Sequence, residues 1–470
     1  MNQVQCMKKI DQLLSKWMKN EQIPGLGVSI VQGEDVLFSK GYGITDVHDG
    51  CKITTKSLFH TASISKTFVS LALMQLIERG LVSLNDSVVC HVPYFTLNDV
   101  RYKDVTLRQL LGHISGMPDE VDFGWDQPET DGGALERYVR SLANKRLLSE
   151  PGTQFRYSNI AFELLGDVIQ NVTGLSFEVY MKQFILDPIG MSESHFLKAE
   201  LNQSLLTSPH ILTMDKRYGP KVSDVFPYNR RHAPSSTLCS NLEDMSKYMS
   251  AVSTNKLISK QLHEDMMVPQ HKTGWGDAMS GIGLGWFSGE YKEKQMMSHS
   301  GLDTGFRSHL LLLPDEGYGI TLLSNCDYIG LQVVWQTIVD VLFGEEVDRI
   351  KPSLARHLAK SFIEHGVQKT EETFQTQAIP HYLVIEGELN FVAYELFENE
   401  KVVEAISLLK LSLQLFPDSS NLNDSLGEMS LANGDKAEAI ASFNRAIALD
   451  PDNVDANENL KNAMNTNESR

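Results

Sequence analysis

The pattern of apolar and polar positions is organised around one helix that lacks a polar face. Nearly every position from 67 to 77 is apolar or small, which predicts a buried helix. Glu78 and Arg79 then give a charged exit, and Gly80 is a stop signal typical of helix ends. The polar side chains just before residue 67 are therefore expected at the start of a core element.

Apolar runs near both ends of the first 345 residues predict strands, whereas the stretch between them is mostly helical or loop-like. The predicted strands cover residues 26–31, 36–42, 281–287, 308–313 and 318–324. The helical patterns cover residues 105–111, 160–171, 242–252 and 331–343. Strands at both ends predict a single sheet assembled from both, with a helical subdomain inserted between them.

The last part of the chain repeats itself. Residues 401–418 align on residues 435–452 at a 34-residue offset, which places Ala405 on Ala439 and Leu415 on Leu449. This period, with small residues at the helix contact and Pro-Asp at the turn, resembles tetratricopeptide repeats. We expect a first domain at residues 1–345, a helical linker at 346–383 and tetratricopeptide-like repeats at 384–466.

Charge and cysteine content exclude several kinds of partner and site. The 470 residues carry a net charge of −18 without a basic block, which argues against nucleic acid and anionic membrane surfaces as partners. The five cysteines are odd in number and form no C-x-x-C pair, so neither a disulfide framework nor a cysteine zinc site is expected. His263 and Glu264 would begin a zinc-hydrolase helix, but Met267 stands where that motif needs its second histidine. We expect no metal and no cofactor.

No apolar run is long enough to cross a bilayer, so no membrane span is expected. The N-terminal residues form an amphipathic pattern in place of the apolar core of a signal peptide, with apolar positions at Ile10, Leu13, Leu14, Trp17 and Met18. This pattern predicts a cytoplasmic protein, or a periplasmic or secreted one if a leader is missing from this chain.

The candidate chemistry begins with Ser63 and Lys66 at the start of the buried helix. Their three-residue spacing stacks a hydroxyl and an amine on one helical face, an arrangement that makes a serine nucleophilic. The spacing alone is weak, because Ser253 with Lys256 has it too. The setting strengthens it, since small residues precede Ser63 and two further polar motifs follow downstream.

The second motif is Tyr157-Ser158-Asn159, at a predicted helix entry. A phenol near a serine can move its proton, and an amide can hold a substrate carbonyl. The plainer alternative is that Tyr157 is only a packed aromatic residue. His113, in a tight turn between glycines, is interpreted as structural.

The third motif is His299-Ser300-Gly301, which leads into Leu302. A glycine lets a substrate lie against the strand edge, and a cationic or hydrogen-bonding residue before it can address a carboxylate or the tyrosine. Here the plainer alternative is that His299 is a structural hydrogen bonder.

The order and separation of the three motifs resemble the serine β-lactamase and penicillin-binding-protein superfamily, and most of all its class C β-lactamase-related hydrolases. The resemblance covers residues 22–343. It implies an α/β (more narrowly α+β) fold, in which a β-lactamase/transpeptidase-like antiparallel sheet is flanked by helices with an inserted helical subdomain. An all-α tetratricopeptide-like segment would follow.

The resemblance also implies roles for individual residues. Ser63 would be the acylated nucleophile, Lys66 would accept or relay its proton, and Tyr157 would be the general base. His299 would occupy the place of the lysine in the K-T-G motif. The residues expected to bind substrate are Asn159, Ser300, Gly301 and Leu302, and the backbone N–H groups of Ser63 and Leu302 would form the oxyanion hole.

Two features depart from the family pattern. Residues 233–238 stand where relatives often have a glycine-rich turn, so the pocket rim is expected to differ. No glutamate can be assigned to deacylation from the sequence, which weakens the case for efficient antibiotic hydrolysis.

The predicted function is a serine hydrolase that cleaves a small-molecule ester or amide, of the esterase, D-aminopeptidase or D,D-carboxypeptidase type. One alternative is a β-lactamase proper. Another is a penicillin-binding or interaction protein with little turnover, whose repeats carry the function by binding a protein partner.

Overall fold

A computed structural model describes residues 2–48, 50–120, 122–214, 218–376, 379–451 and 453–465. The strands are β1 (Gly25–Gln32), β2 (Asp35–Gly43), β3 (Phe59–His60), β4 (His210–Thr213), β5 (Gly219–Val222), β6 (Cys239–Ser240), β7 (His271–Lys272), β8 (Gly281–Ile282), β9 (Phe287–Tyr291), β10 (Lys294–Asp303), β11 (Phe306–Leu313) and β12 (Tyr318–Ser324). None of the described helices combines the length and the apolar character that crossing a membrane requires.

The first ten helices belong to the part of the chain that contains the sheet. They are α1 (Gln3–Glu21), α2 (Ser65–Glu78), α3 (Leu107–Leu111), α4 (Ala134–Ser141), α5 (Asn159–Thr173), α6 (Phe177–Tyr180), α7 (Ala233–Ser236), α8 (Leu242–Ser253), α9 (Lys260–Met267) and α10 (Leu331–Leu342). The remaining helices are α11 (Leu354–His365), α12 (Val367–Phe374), α13 (Glu386–Glu398), α14 (Val402–Leu415), α15 (Ser420–Ala432), α16 (Lys436–Leu449) and α17 (Val454–Asn465).

Both ends of the first 345 residues contribute to one antiparallel sheet. Among the described residues it has eight strands, in the order β2-β1-β12-β11-β10-β9-β8-β7. The two ends meet where β1 pairs with β12, with Val28 opposite Leu322. Both side chains are fully buried, because helices cover this part of the sheet. The predicted fold class, an antiparallel sheet with flanking helices and an inserted helical region, is confirmed.

The buried helix predicted at residues 67–77 is α2. Its side chains from Ser65 to Met74 are all buried, and it contacts α5 and α7 within the helical region. Phe68 stacks on Tyr248 of α8, with ring centroids 3.8 Å apart. The helix is therefore enclosed on all sides, as a helix without a polar face must be.

The strand predicted at residues 281–287 is wrong in its extent. The structure has β8 and β9 instead, with a turn between them, and Gly285 in that turn has a φ of +82°. A Cβ on Gly285 would lie 1.8 Å from the hydroxyl oxygen of Ser70 in α2. Glycine is thus required here by a close approach to the buried helix, and the positive φ breaks the strand.

The chain divides into two compact units. The first comprises residues 1–211 and 220–346, and the second comprises residues 212–219 and 347–470. The predicted domain boundaries place residues 212–219 in the first domain, whereas the structure groups them with the second unit. Met214 is buried there in an apolar cluster with Leu354 and Leu389.

Helices in the second unit recur with the predicted period. α15 begins and ends 34 residues after α13, and α16 begins and ends 34 residues after α14. Gly427 of α15 packs directly on the ring of Phe443 in α16. The assignment of these helices to the tetratricopeptide class stays a prediction.

The contact of Gly427 with Phe443 gives a test of packing in the second unit. A Cβ on Gly427 would lie 2.4 Å from the Phe443 ring, so we expect Gly427→Ala to lower the free energy of unfolding by about 1–3 kcal/mol. Circular dichroism at 222 nm during denaturation measures this loss. Gly387→Ala is the matched control, because that helical position faces open space and alanine should stabilise it slightly. A Gly427→Ala protein as stable as wild type would contradict the packing.

Candidate active site

Ser63 lies in a 3₁₀ turn, Ala62–Ile64, that runs directly into α2. The preceding residue, Ala62, is fully buried and has a φ of +50°, which is uncommon for a residue with a Cβ. Strained backbone of this kind persists only where the surrounding structure fixes it, and it clusters at functional sites. Ser63 itself is partly exposed, so its hydroxyl is held in a fixed place that a substrate can reach.

Lys66 is fully buried on the first turn of α2. Its amine donates to the hydroxyl of Ser63 at 2.9 Å, to the side-chain oxygen of Asn159 at 2.6 Å and to the backbone carbonyl of Ser235 at 2.9 Å. All three partners are neutral. Burial lowers the pKa of Lys66 to about 8, against the opposing effect of nearby carboxylates. The amine is thus poised to lose a proton near neutral pH.

Tyr157 reaches the same hydroxyl from the segment before α5. Its side chain is half-buried and hydrogen-bonds with the side chain of Ser63. The ring stacks on the imidazole of His113, with centroids 4.3 Å apart. Burial raises the pKa of Tyr157 above its ordinary value, although the bond to Ser63 acts in the opposite direction. The phenol of Tyr157 is therefore neutral at rest. Its hydroxyl can relay a proton, because it can donate its own proton while its oxygen accepts another.

His113 contacts the motif Tyr157-Ser158-Asn159 through its imidazole ring. It is fully buried, and its Nδ1 accepts the backbone N–H of Ser158 at 3.1 Å. Burial holds the pKa of His113 well below its usual range, so the ring is neutral. These contacts place His113 against the ring of Tyr157. The structural role expected from its glycine-flanked turn stays a prediction.

Asn159 begins α5, and Asp119 holds it in place. One carboxylate oxygen of Asp119 accepts both the backbone N–H of Asn159 at 2.7 Å and its side-chain amide at 3.0 Å. The side-chain oxygen of Asn159 is thereby turned toward Lys66. Its second amide hydrogen is left for another acceptor, such as a substrate carbonyl.

His299 lies on β10 and is almost completely buried. Its ring centroid is 6.5 Å from that of Tyr157. The Nδ1 atom donates to the backbone carbonyl of Ser300 at 2.8 Å, and Nε2 has no hydrogen-bond partner among the described residues. Burial lowers the pKa of His299 to about 3, so the ring is neutral and Nε2 is an acceptor.

Gly301 brings β10 against the turn that carries Ser63. A Cβ there would lie 2.3 Å from the backbone oxygen of Thr61 and 3.1 Å from the Cβ of Ala62. The next residue, Leu302, is 40% exposed beside this contact. The hydroxyl of Ser300 is 2.9 Å from Nδ1 of His309, which lies opposite it on β11.

The structure thus brings most of the predicted site residues together. Hydrogen bonds join Ser63, Lys66, Tyr157 and Asn159, and ring contacts bring His299 to the same place. Gly301 holds Leu302 beside the turn of Ser63. Ser300 directs its hydroxyl to His309. Their individual catalytic and binding roles stay predictions.

A second group of residues, which the sequence did not indicate, supports Lys66. Glu163 of α5 is fully buried, and its Oε1 accepts the Ser235 hydroxyl at 2.5 Å. The same oxygen lies 3.0 Å from Nδ1 of His232. Arg231 donates to Nε2 of that ring at 2.9 Å, so Nδ1 carries the proton and donates to Glu163. Because the backbone carbonyl of Ser235 binds Lys66, Glu163 holds the segment that positions the amine.

Asp303, which follows Leu302 at the end of β10, fixes this end of the strand. Asp303 lies 2.7 Å from Nε2 of the buried His60 and also accepts the hydroxyl of Ser236. The segment 233–238, which contains α7, is therefore tied both to α5 and to β10. The charged Glu163 on the apolar side of α5 was a sequence signal for this network.

Within the described ranges, no group of three or more His, Cys, Asp or Glu side chains is arranged to hold a metal ion.

A buried lysine thus lies beside a serine at a helix start, with a tyrosine and a histidine of the sheet around it. A model of the beta-lactamase family matches residues 10–340. The chain therefore belongs to the beta-lactamase family, whose members are generally serine hydrolases and include penicillin-binding protein homologues.

Curated relatives agree with this assignment. Protein flp of Staphylococcus aureus (strain COL) is 30% identical over 325 residues, which cover 68% of this chain and 63% of that protein. The chain thus spans less than two thirds of the length of that relative. Penicillin-binding protein 4* of Bacillus subtilis (strain 168) is 26% identical over 408 residues, covering 83% of this chain and 86% of that protein.

Solved structures share the fold. The octameric penicillin-binding protein homologue from Pyrococcus abyssi has a TM-score of 0.64 at 26% identity, covering 77% of this chain and 81% of that one. EstCE1, a hydrolase with promiscuous acyltransferase activity, has a TM-score of 0.62 at 20% identity, covering 72% of this chain and 99% of that one. The second likeness bears on the fold alone.

The protonation state of the Lys66 amine predicts how labelling of Ser63 should depend on pH. Only the neutral amine can accept the proton of Ser63, so the rate of Ser63 phosphonylation by a fluorophosphonate should rise with pH and level off above about 8. Glu163 raises the pKa of Lys66. We therefore expect Glu163→Gln to move this rise to lower pH, since glutamine removes the charge but keeps an oxygen acceptor.

Glu136→Gln is the matched control, because Glu136 is an exposed partner of Arg140. Its profile should coincide with that of wild type. A Glu163→Gln profile that also coincides with wild type would contradict the electrostatic role of Glu163.

Proposed function

We propose that this protein is a serine hydrolase that cleaves an ester or an amide through an acyl-enzyme on Ser63. The observation that carries the proposal is the buried amine of Lys66, 2.9 Å from the Ser63 hydroxyl and held by three neutral partners. An amine without an ion pair gives up its proton more readily than one beside a carboxylate. The nucleophile and its base are thus already assembled.

In acylation, neutral Lys66 accepts the proton of Ser63 while the serine oxygen attacks the substrate carbonyl carbon. The resulting oxyanion is placed at the backbone N–H groups of Ser63 and Leu302. The proton then passes through the hydroxyl of Tyr157 to the leaving oxygen or nitrogen as its bond to the carbonyl carbon breaks. The alcohol or amine departs and the acyl group remains on Ser63.

In deacylation, a water molecule attacks the acyl carbon, and Tyr157 with Lys66 accepts its proton. The same proton returns to the oxygen of Ser63 when the acyl–oxygen bond breaks, which releases a carboxylic acid. Asn159 would hold the substrate carbonyl through its second amide hydrogen, because Asp119 occupies the first.

Among the finer activities, cleavage of an ester or an uncharged amide has the best support. His299 is neutral and presents an acceptor, so it cannot form an ion pair with a substrate carboxylate as a lysine would. D,D-carboxypeptidase and β-lactamase substrates both carry a carboxylate near the scissile bond. Esterase or D-aminopeptidase activity therefore ranks above these two.

A second candidate is a penicillin-binding protein with little turnover. The raised pKa of Tyr157 favours it, since a neutral phenol is a weak base toward water and the acyl-enzyme would then persist. The name of the Bacillus subtilis relative agrees with this reading. A protein partner for the helices of the second unit also stays a proposal.

Covalent labelling tests the proposed function. Intact-protein mass spectrometry after incubation with a fluorophosphonate should show one adduct that is lost in Ser63→Ala. A separate incubation with a penicillin, which carries a carboxylate, should leave no lasting adduct under the first candidate, whereas a stable adduct would favour the second. Hydrolysis of p-nitrophenyl acetate should continue beyond one turnover in wild type. A single burst of product without steady turnover would select the second candidate.

Ser253→Ala is the matched control, because Ser253 and Lys256 have the same spacing in the sequence and belong to a different helix end. Its labelling and turnover should equal those of wild type. A folded wild-type protein with neither adduct nor turnover would refute both candidates.

A further inference from the structure

Trp275 has a large, exposed side chain near the candidate site, with its ring centroid 6.0 Å from that of Tyr157. Trp275 is 48% exposed, whereas the other four tryptophans are buried or half-buried. An exposed tryptophan in aromatic surroundings is costly to hydrate and is enriched at binding sites. Trp275 is therefore a candidate for direct contact with a ligand.

Trp275 belongs to a continuous set of rings, which we call the aromatic wall: Phe155, Tyr157, Trp275 and Phe287. Trp275 stacks on Phe287 with centroids 5.2 Å apart and an interplanar angle of 22°. It meets Phe155 edge-on at 4.9 Å. These rings cover part of the indole, and the exposed part of its surface is accessible to a ligand.

The loop that carries Trp275 is fastened to the sheet. Its backbone N–H donates to the hydroxyl of Thr273 at 3.0 Å, and the N–H of Thr273 donates to the carbonyl of Ser280 at 3.0 Å. A Cβ on Gly289 of β9 would lie 2.3 Å from the backbone of Asp277 and Ala278. The indole is thus presented on an anchored loop, which lowers the entropic cost of using it as a binding surface.

The position of Tyr157 decides which part of a substrate meets this wall. The rings of Tyr157 and Trp275 are 6.0 Å apart. Tyr157 is hydrogen-bonded to Ser63 and, in the proposed reaction, carries the proton to the leaving atom. A group that protonates the leaving atom must face it. The wall therefore lies on the leaving-group side of the scissile bond.

The charges near Lys66 and Tyr157 further limit which leaving groups the site can accept. The carboxylates of Glu163, Asp303 and Asp119 all act electrostatically on both Lys66 and Tyr157. Once Lys66 has lost its proton, these groups make the local potential negative. A leaving group that carries a carboxylate is repelled there, whereas an uncharged one is not.

We propose that Trp275 is a specificity-determining residue that binds the flat, uncharged leaving group of an ester, such as an aryl alcohol, on the exposed face of its indole. The proposal rests on the acyl-enzyme function of Ser63. The alcohol oxygen takes the proton that Tyr157 relays from Ser63, the ester C–O bond breaks, and the aryl alcohol departs past Trp275.

The test uses three acetate esters that share one acetyl-enzyme: 2-naphthyl acetate, phenyl acetate and ethyl acetate. We expect Trp275→Ala to lower kcat/KM for 2-naphthyl acetate by about tenfold, for phenyl acetate by less, and for ethyl acetate by less than about twofold. Trp275→Phe should recover most of the loss, because a flat ring remains. Deacetylation of the common acetyl-enzyme, followed by mass spectrometry, should keep its wild-type rate in both variants.

A pair of esters of similar shape and different charge tests the requirement for an uncharged leaving group. Wild type should cleave methyl 4-acetoxybenzoate with a kcat/KM about tenfold higher than 4-acetoxybenzoate, whose leaving group differs chiefly by a carboxylate. Equal values for the two esters would overturn the requirement for an uncharged leaving group.

Phe343→Ala is the control for loss of a partly exposed aromatic side chain. Phe343 is 38% exposed and contacts Tyr318 and Lys294, and Lys294 begins β10 five residues before His299. Its ester preferences should equal those of wild type.

The outcomes distinguish failure of the role proposed for Trp275 from failure of the proposed hydrolase function. Equal losses on all three esters, no loss at all, or a slowed deacetylation in Trp275→Ala would overturn the role of Trp275 while leaving the hydrolase intact. Absence of Ser63-dependent acetylation in wild type would instead refute the proposed function.

Discussion

The amine of Lys66 is removed from water and must place its hydrogens on protein oxygens alone. It does so through the hydroxyl of Ser63, the side-chain oxygen of Asn159 and the backbone carbonyl of Ser235. An unmatched amine at this depth would cost several kcal/mol, so the three acceptors must be held in place by the fold. They come from the turn before α2, the start of α5 and α7, and these three helices pack against one another.

The surrounding structure fixes each acceptor in turn. Asp119 orients Asn159 through two hydrogen bonds, and Glu163 holds Ser235. Gly301 lets β10 approach the strained turn that carries Ser63, since any side chain there would collide with the backbone of Thr61. The sheet and the helical region thus meet at the nucleophile, and neither alone forms the site. A site built on such rigid elements keeps its geometry without help from the substrate.

The same burial governs the charge state of the site. It lowers the pKa of Lys66 to about 8 and that of His299 to about 3, and it raises that of Tyr157. The imidazole of His299 and the phenol of Tyr157 are therefore neutral, while the nearby formal charges that act on Lys66 belong to carboxylates. The proposed preference for uncharged leaving groups rests on the neutral ring of His299 and on the exposed indole of Trp275, which adds an apolar surface.

Local signals in the sequence determined much of this protein. The all-apolar stretch of α2 specified a buried helix, the strand patterns at both ends specified one sheet, and the three motifs specified Ser63, Lys66, Tyr157 and His299. Tertiary structure alone decided the rest. Glu163 is 69 residues from His232 and 72 residues from Ser235 in the chain, and only folding makes a buried carboxylate of one helix the support of another. Gly285 broke a predicted strand because α2 passes too close for a side chain, and the neutrality of His299 follows from burial. Periodicity encodes which face of an element is apolar, whereas contacts between distant segments and the loss of water around a charge exist only after the chain has folded.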